Sequence, residues 1–241
     1  MKLLAFDTST ETLSVAVSRG AHAPVLAHEG AGGAQASVTL IPAIQALLQQ
    51  AGVPLAELDA IVFGRGPGSF TGLRTACAVA QGLGFGARVP VLAVDTLLAV
   101  AEEARHAAGH TQVLALLDAR MDEVYCAAYA FDGAQWATRQ APALLRPQDV
   151  ELPAGYAIAG NARPAFAQRL PQGAEWVDAL PHARALLRLA PAQLAAGRAQ
   201  PAAQALPLYI RDKVAQTTEE RAAHRAAQAE IGRASCRERV L

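Results

Sequence analysis

Apolar positions arrive in short blocks whose period switches along the chain. Leu3-Leu4-Ala5-Phe6 is a compact apolar run, and Leu13-Ser14-Val15-Ala16-Val17 alternates at every second residue. The polar stretch Asp7-Thr8-Ser9-Thr10 between them makes the pair read as a β-hairpin opening a sheet. Val25-Leu26-Ala27-His28 predicts a third strand. The period then lengthens. Val38, Ile41, Ile44, Leu47, Leu48 and Ala51 recur at helical spacing, and Gly52 supplies a helix end. Residues 60–63 predict a buried strand, followed by a Gly/Pro loop and a long helix over roughly residues 69–86. Residues 89–94 predict another strand, after which Asp95 or Thr96 caps a helix.

The same rhythm starts again past residue 110. Val113-Leu114-Ala115-Leu116-Leu117 is a strand, Asp118-Ala119-Arg120-Met121-Asp122 a polar turn, and residues 123–131 alternate as the hairpin partner. Residues 156–159 predict a later strand and residues 182–197 a helix. Strand, aspartate, turn and strand thus occur twice, led by Asp7 and by Asp118. A repeat of half the chain predicts two related α/β domains, over residues 1–108 and 109–215.

Composition narrows the picture. Hydrophobic residues at 52% against charged residues at 17% predict a sizeable core rather than a disordered chain. Aromatics are scarce, so that core is built from Ala, Val, Leu and Ile packed closely. Formal net charge is zero, which argues against tight unaided binding of nucleic acid, since phosphate neutralisation supplies most of that affinity. No signal peptide is expected, because Met1-Lys2-Leu3-Leu4 runs straight into a strand ending at Asp7. No apolar run reaches the ~20 residues needed to span a membrane. Cys77, Cys126 and Cys236 are odd in number and far apart, which fits a reducing cytoplasm.

The segment 216–241 is read as a tail. From Glu230 the string Glu-Ile-Gly-Arg-Ala-Ser-Cys-Arg-Glu-Arg-Val resembles a translated sequencing adapter, and it is set aside from functional reasoning. Residues from about Thr217 onward are expected to be dispensable, because Gln216-Thr217-Thr218-Glu219-Glu220-Arg221 offers little apolar anchor.

The most specific stretch is Gly64-Arg65-Gly66-Pro67-Gly68-Ser69-Phe70-Thr71-Gly72-Leu73-Arg74. It resembles the signature of the TsaB (YeaZ) family and of its catalytic paralogue TsaD. Phe6-Asp7-Thr8, the run Leu117 to Tyr125 and the run Pro207 to Ala215 are similar to the same family, in the same order. The resemblance implies an α/β fold of two actin/Hsp70-like (ASKHA) domains with related mixed sheets flanked by helices. It implies a non-catalytic scaffold or dimerisation subunit of the bacterial complex that forms N6-threonylcarbamoyladenosine at position 37 of tRNAs. The implied partners are TsaD, which carries out the transfer, and TsaE, with tRNA met indirectly through the complex. Homodimerisation in the partner's absence is left open. No cofactor and no metal are implied. The rival reading is an active metal-dependent ATPase or transferase, or a glycoprotease-like peptidase.

Each motif has a bland reading beside a functional one. The glycine loop Gly64, Arg65, Gly66, Pro67, Gly68 and Ser69 allows a tight strand-to-helix turn, but such a loop can also serve an interface or cradle a phosphate. It lacks the lysine of a P-loop. The turns at Asp7, Thr8 and Ser9 and at Asp118 sit where an actin-like site holds phosphates, yet neither contains the glycine that lets backbone approach an anion. They read as vestigial, with Asp7 and Asp118 stabilising their own turns. TsaD-like paralogues carry a His-x-x-x-His pair on the first helix of their first domain. Here that helix opens Ala36-Ser37-Val38-Thr39-Leu40-Ile41-Pro42, without histidine. His106 and His110 have the spacing but sit at a helix end, and zinc would need a further ligand. Cys77 and Cys126 read as buried thiols. No Ser-His-Asp grouping stands out.

The long helix after the glycine loop carries Gly72, Ala76, Ala80 and Gly84 at every fourth residue. A stripe of small residues lets another helix come close. The resemblance implies pairing through first-domain helices, so Gly72, Thr75, Ala76, Val79, Ala80, Leu83 and Gly84 are the expected partner interface, joined by the helix that begins near Val38. The competing expectation is that this stripe packs inside its own chain.

Overall fold

A computed structural model describes residues 1–20 and 23–211. The tail readings past residue 211 lie outside the described residues. The first half begins with β1 (Leu3–Asp7) and β2 (Thr12–Ser18), antiparallel with Phe6 opposite Val15, and β3 (Leu26–Ala31) antiparallel to β2. Helix α1 (Ala36–Ala51) leads to β4 (Ala60–Gly66), parallel to β1. Helix α2 (Phe70–Ala87) leads to β5 (Val91–Asp95), parallel to β4, and then comes α3 (Thr96–Ala108). The sheet order is β3-β2-β1-β4-β5.

The second half repeats this pattern. Strands β6 (Gln112–Arg120), β7 (Glu123–Phe131) and β8 (Trp136–Leu145) are antiparallel in sequence order. Then β9 (Ala157–Gly160) pairs parallel to β6, a short α4 (Arg163–Phe166) follows, and β10 (Trp176–Asp178) pairs parallel to β9. Helix α5 (Ala183–Ala195) comes last. Reading β10-β9-β6-β7-β8 backwards gives the first sheet again, so the architecture is actin/Hsp70-like.

Side-chain alternation builds the layers. In β1, Leu4 and Phe6 face α1 and α2, while Leu3 and Ala5 face α3 and α5. Both faces are covered, which is why such strands read as continuous apolar runs. Fully burying Phe6 or Phe63 contributes roughly 1.5–3 kcal/mol each. Helix α3 lies between the sheets: Ala99 joins the first sheet's cluster, and Leu97, Val100, Ala101 and Ala104 join the second's. Helix α5, from the second half of the chain, packs on β1, β2 and β4. Its first turn is tied to the first sheet by the Ala183 amide, which donates to Ser14 Oγ at 2.9 Å.

One charge is buried in this seam. Glu102 accepts hydrogen bonds from Arg105, Arg188 and Trp136, linking α3, α5 and β8. Burial pushes its carboxyl up, but the Arg105, Trp136 and Arg188 bonds outweigh that and hold it below the usual range. A fully satisfied buried network of this kind fixes one packing arrangement. Among the described residues no helix is long and apolar enough to cross a membrane.

Candidate functional site

The first turn and the glycine loop are packed into each other. Asp7 closes β1 with its side chain fully enclosed. Its Oδ1 accepts from the Ser9 amide at 2.8 Å and the Ser9 hydroxyl at 2.5 Å. Its Oδ2 has no partner among the described residues. It lies against the backbone of Gly64, where any Cβ would overlap the carboxylate. Burial pushes the Asp7 pKa up to about 6, against the opposing pull of the Ser9 hydrogen bonds and the nearby His182.

Three amides of the turn and the loop are used internally. The Ser9 amide serves Asp7, and the Ser69 amide donates to the Ser9 carbonyl at 2.7 Å. Gly66 N donates to Thr96 Oγ1 at 3.1 Å, and the peptide between Gly66 and Pro67 is cis. Arg65 pairs with Asp95 at 2.5 Å. Asp95 therefore precedes α3 as expected, but its carboxylate goes to Arg65 and makes no cap hydrogen bond.

The second turn is built differently. Asp118 Oδ1 accepts from the Arg120 amide at 2.7 Å, and the Asp118 amide donates to Asn161 Oδ1 at 2.9 Å. Arg120, Met121 and Asp122 all have left-handed backbone, with φ of 61°, 55° and 64°. From there Arg120 reaches Glu11 of the first turn at 3.0 Å, so an ion pair spans the two turns. Both partners are well exposed, and such a pair is worth about 1 kcal/mol or less.

The stripe on α2 needs a correction. Gly72, Ala76, Ala80 and Gly84 face the chain's own interior. Ala76 and Ala80 belong to the cluster beneath α1 and α2. A Cβ on Gly72 would overlap the Thr8 carbonyl, while Thr8 Oγ1 donates to the Gly72 carbonyl at 2.7 Å. A Cβ on Gly84 would come within 2.9–3.0 Å of Val91, Ala202 and the Val89 carbonyl. The small residues are there so that α2 can lie close to its own first turn and to β5. These four cannot meet a partner without unpacking the core. Thr75, Val79 and Leu83 are half-buried at the border.

The opposite face of α2 is open. Thr71, Arg74, Ala78, Gly82, Phe85 and Gly86 are exposed, and a Cβ on Gly82 or Gly86 would meet nothing. Phe85 is 82% exposed. On α1, which packs against α2, Val38 is 74% exposed and Ile41 is also outward. Near the start of α2, Arg74 stacks on Phe70 and donates from Nε to the Tyr209 hydroxyl at 2.9 Å.

The remaining candidates are structural. Cys77 donates to the Ala205 carbonyl at 3.3 Å, and burial pushes its thiol up. Cys126 is buried in β7 and pushed up to about 12. His106 is exposed and His110 lies 3.4 Å from Glu175. Among the described residues no group of three or more His, Cys, Asp and Glu side chains could hold a metal ion.

Comparison with known proteins decides the family. The model of the TsaD family, tRNA N6-adenosine threonylcarbamoyltransferase, matches residues 32–173. The tRNA threonylcarbamoyladenosine biosynthesis protein TsaB of Escherichia coli K12 is 34% identical over 225 residues, covering 89% of this chain and 96% of that protein. This chain belongs to the TsaB family. The TsaB protein of Haemophilus influenzae is 44% identical over 128 residues, 52% of each chain. The solved structure of YeaZ from Pseudomonas aeruginosa superposes with a TM-score of 0.80 at 42% identity, covering 86% of this chain and 99% of that one. Within this TsaB-family fold, the Arg74, Phe70 and Tyr209 cluster escaped the sequence reading, because Tyr209 lies 135 residues from Arg74. The available signal was that Arg74 is the lone charge on two long helices.

Proposed function

We propose that this chain is a non-catalytic scaffold subunit in the formation of N6-threonylcarbamoyladenosine on tRNA. It docks a TsaD-type transferase through the outward face of α1 and α2 and makes that transferase competent. TsaE and tRNA are met through the assembly, in the cytoplasm. The observation that carries this reading is the contrast across α2. Every buried small residue has an internal reason, whereas Gly82, Gly86, Ala78 and Phe85 have none. A glycine inside an exposed helix costs roughly 1 kcal/mol relative to alanine, and close approach of a second helix is a physical reason to keep it. Exposed Val38, Ile41 and Phe85 add apolar area of the kind that interface cores bury. The test is reconstitution of tRNA modification from purified parts, with and without this chain. Modification should fall to background when it is left out. Full modification without it overturns the proposal.

A second reading, an active hydrolase or transferase, is favoured by Asp7 alone. A buried carboxylate with one unpartnered oxygen and a raised pKa is the pattern of many catalytic acids. Magnesium-dependent ATP hydrolysis by the pure chain, abolished in Asp7→Asn, would establish it in place of the scaffold.

A further inference from the structure

The outward face of α2 carries one charged side chain, which the fold holds ready and which has no carboxylate partner among the described residues. Arg74 is exposed, yet it is fixed from two sides. Its guanidinium carbon lies 3.7 Å from the centre of the Phe70 ring. Its Nε donates to the Tyr209 hydroxyl at 2.9 Å. The Phe70 and Tyr209 rings are themselves 5.4 Å apart, so the three groups form one stack. Among the described residues no carboxylate pairs with Arg74. The two terminal nitrogens are left as a planar fork, the geometry that matches a carboxylate. Because the side chain is already ordered, binding costs less entropy than it would for a free arginine.

The charge pattern around it says what kind of surface fits. Across the 16 residues of α1 and the 18 of α2, Arg74 is the only charged side chain. The two helices therefore offer hydroxyls, amides, methyl groups and one cation. A second copy of the chain, docked on this face about a two-fold axis, would bring the same residues. It would supply another Arg74 and no acid from either helix. A symmetric pairing thus leaves two guanidiniums without carboxylates inside or beside a drying contact, which is costly. A different protein that presents an Asp or Glu beside an apolar helix satisfies both parts of the face.

We propose that Arg74, stacked on Phe70 and tethered by Tyr209, is the anchor for a partner carboxylate, and that it selects an acidic heterologous helix over a second copy of this chain. This rests on the docking reading above and supplies its specificity. Arginine and tyrosine are also the residue types most often found to dominate binding energy at interfaces.

The experiment uses the full chain and the TsaD-type transferase of the same organism. Heteromeric affinity is measured by titration calorimetry at low and high salt, and self-association by sedimentation. Tetrahedral Lys cannot reproduce the planar fork, so the series is Arg74→Ala, Arg74→Lys and Tyr209→Phe. Arg74→Ala should weaken the heteromer by about tenfold or more and flatten its salt dependence. Arg74→Lys should recover only part of that loss, and Tyr209→Phe should lose a few-fold. Self-association and melting temperature should not fall in any of them. A heteromeric affinity for Arg74→Ala within twofold of the parent overturns the proposal, as does an equal loss in self-association. Loss of tRNA binding with transferase binding intact would assign the cluster to nucleic acid instead, and also overturns it. If the parent chain does not bind the transferase at all, the docking reading itself fails and takes this anchor with it.

Discussion

Helix α2 presents two faces of similar composition and opposite meaning. Both are rich in Gly and Ala. On the inner face, Gly72 and Gly84 sit where a Cβ would strike Thr8, Val91 or Ala202. On the outer face, Gly82 and Gly86 border open space. Small residues are therefore not a signature of an interface by themselves. They mark close approach, and only the packing says to what. Here the four-residue spacing of Gly72, Ala76, Ala80 and Gly84 reports the chain's own architecture, and the outer face is the one we propose for the partner.

The sharpest way to break this comparison is to place a charge on the inner face. Ala80→Glu puts a carboxylate into a fully enclosed site and should cost about 4 kcal/mol or more in overpacking and desolvation. The expected result is a chain that is unfolded or strongly destabilised in circular dichroism melting. A folded protein with unchanged melting would mean that the inner face is not packed as described.

Asp7 gives the next largest effect, with a defined pH window. Its folded pKa of about 6 lies above the usual carboxylate range, so the folded state holds the proton more tightly than the unfolded state does. Its contribution is fully present below the ordinary carboxylate pKa and is lost as pH rises through about 6. The groups facing it are Ser9, the backbone of Gly64 and His182, whose Nδ1 lies 3.0 Å from a Glu29 carboxylate oxygen. At pH 7.5, Asp7→Asn should raise stability by about 2 kcal/mol, below the full linkage value because the new amide also lacks a partner. Near pH 3.5 the gain should vanish. Urea denaturation at the two pH values checks the sign, and a loss of stability at pH 7.5 would show that the charged form is the one the fold favours.

Gly82→Ala should act in two directions at once. Without a partner it should stabilise the chain by up to ~1 kcal/mol, since helix propensity improves and the added methyl meets nothing. Transferase binding should weaken, because the partner helix loses its closest approach. Tighter binding by the stabilised variant would argue that no helix packs at Gly82.

Much of the fold was legible because its strands are buried on both faces or strictly alternate. β1, β2, β4, β6 and β7 all announce themselves in apolar runs. β8 does not. It is an edge strand with Pro142, Arg139 and Gln140 along it and with register shifts opposite Cys126 to Tyr129, so no clean period survives. The three residues of β10 are too short to show one. The doubled Asp-led hairpin predicted the repeat, but not that its two turns would differ. The first is buried under the glycine loop, while the second holds three left-handed residues and an exposed ion pair. The stripe on α2 was read correctly as a line of small residues along one helix face, but sequence carries no sign of which face turns inward. Tyr209 reaches Arg74 only through the return of residues 200–208 past β5 and Arg65, a tertiary path that no local pattern encodes.

The most direct test of the scaffold account is a single substitution on the outer face. Ala78 is exposed at the middle of α2, one turn from both Arg74 and Gly82. Ala78→Arg should melt within about 0.5 kcal/mol of the parent, as surface substitutions do. In size-exclusion chromatography with the TsaD-type transferase it should elute alone, and reconstituted tRNA modification should drop to the level seen without this chain. A folded Ala78→Arg chain that still co-elutes with the transferase and supports modification would contradict the account.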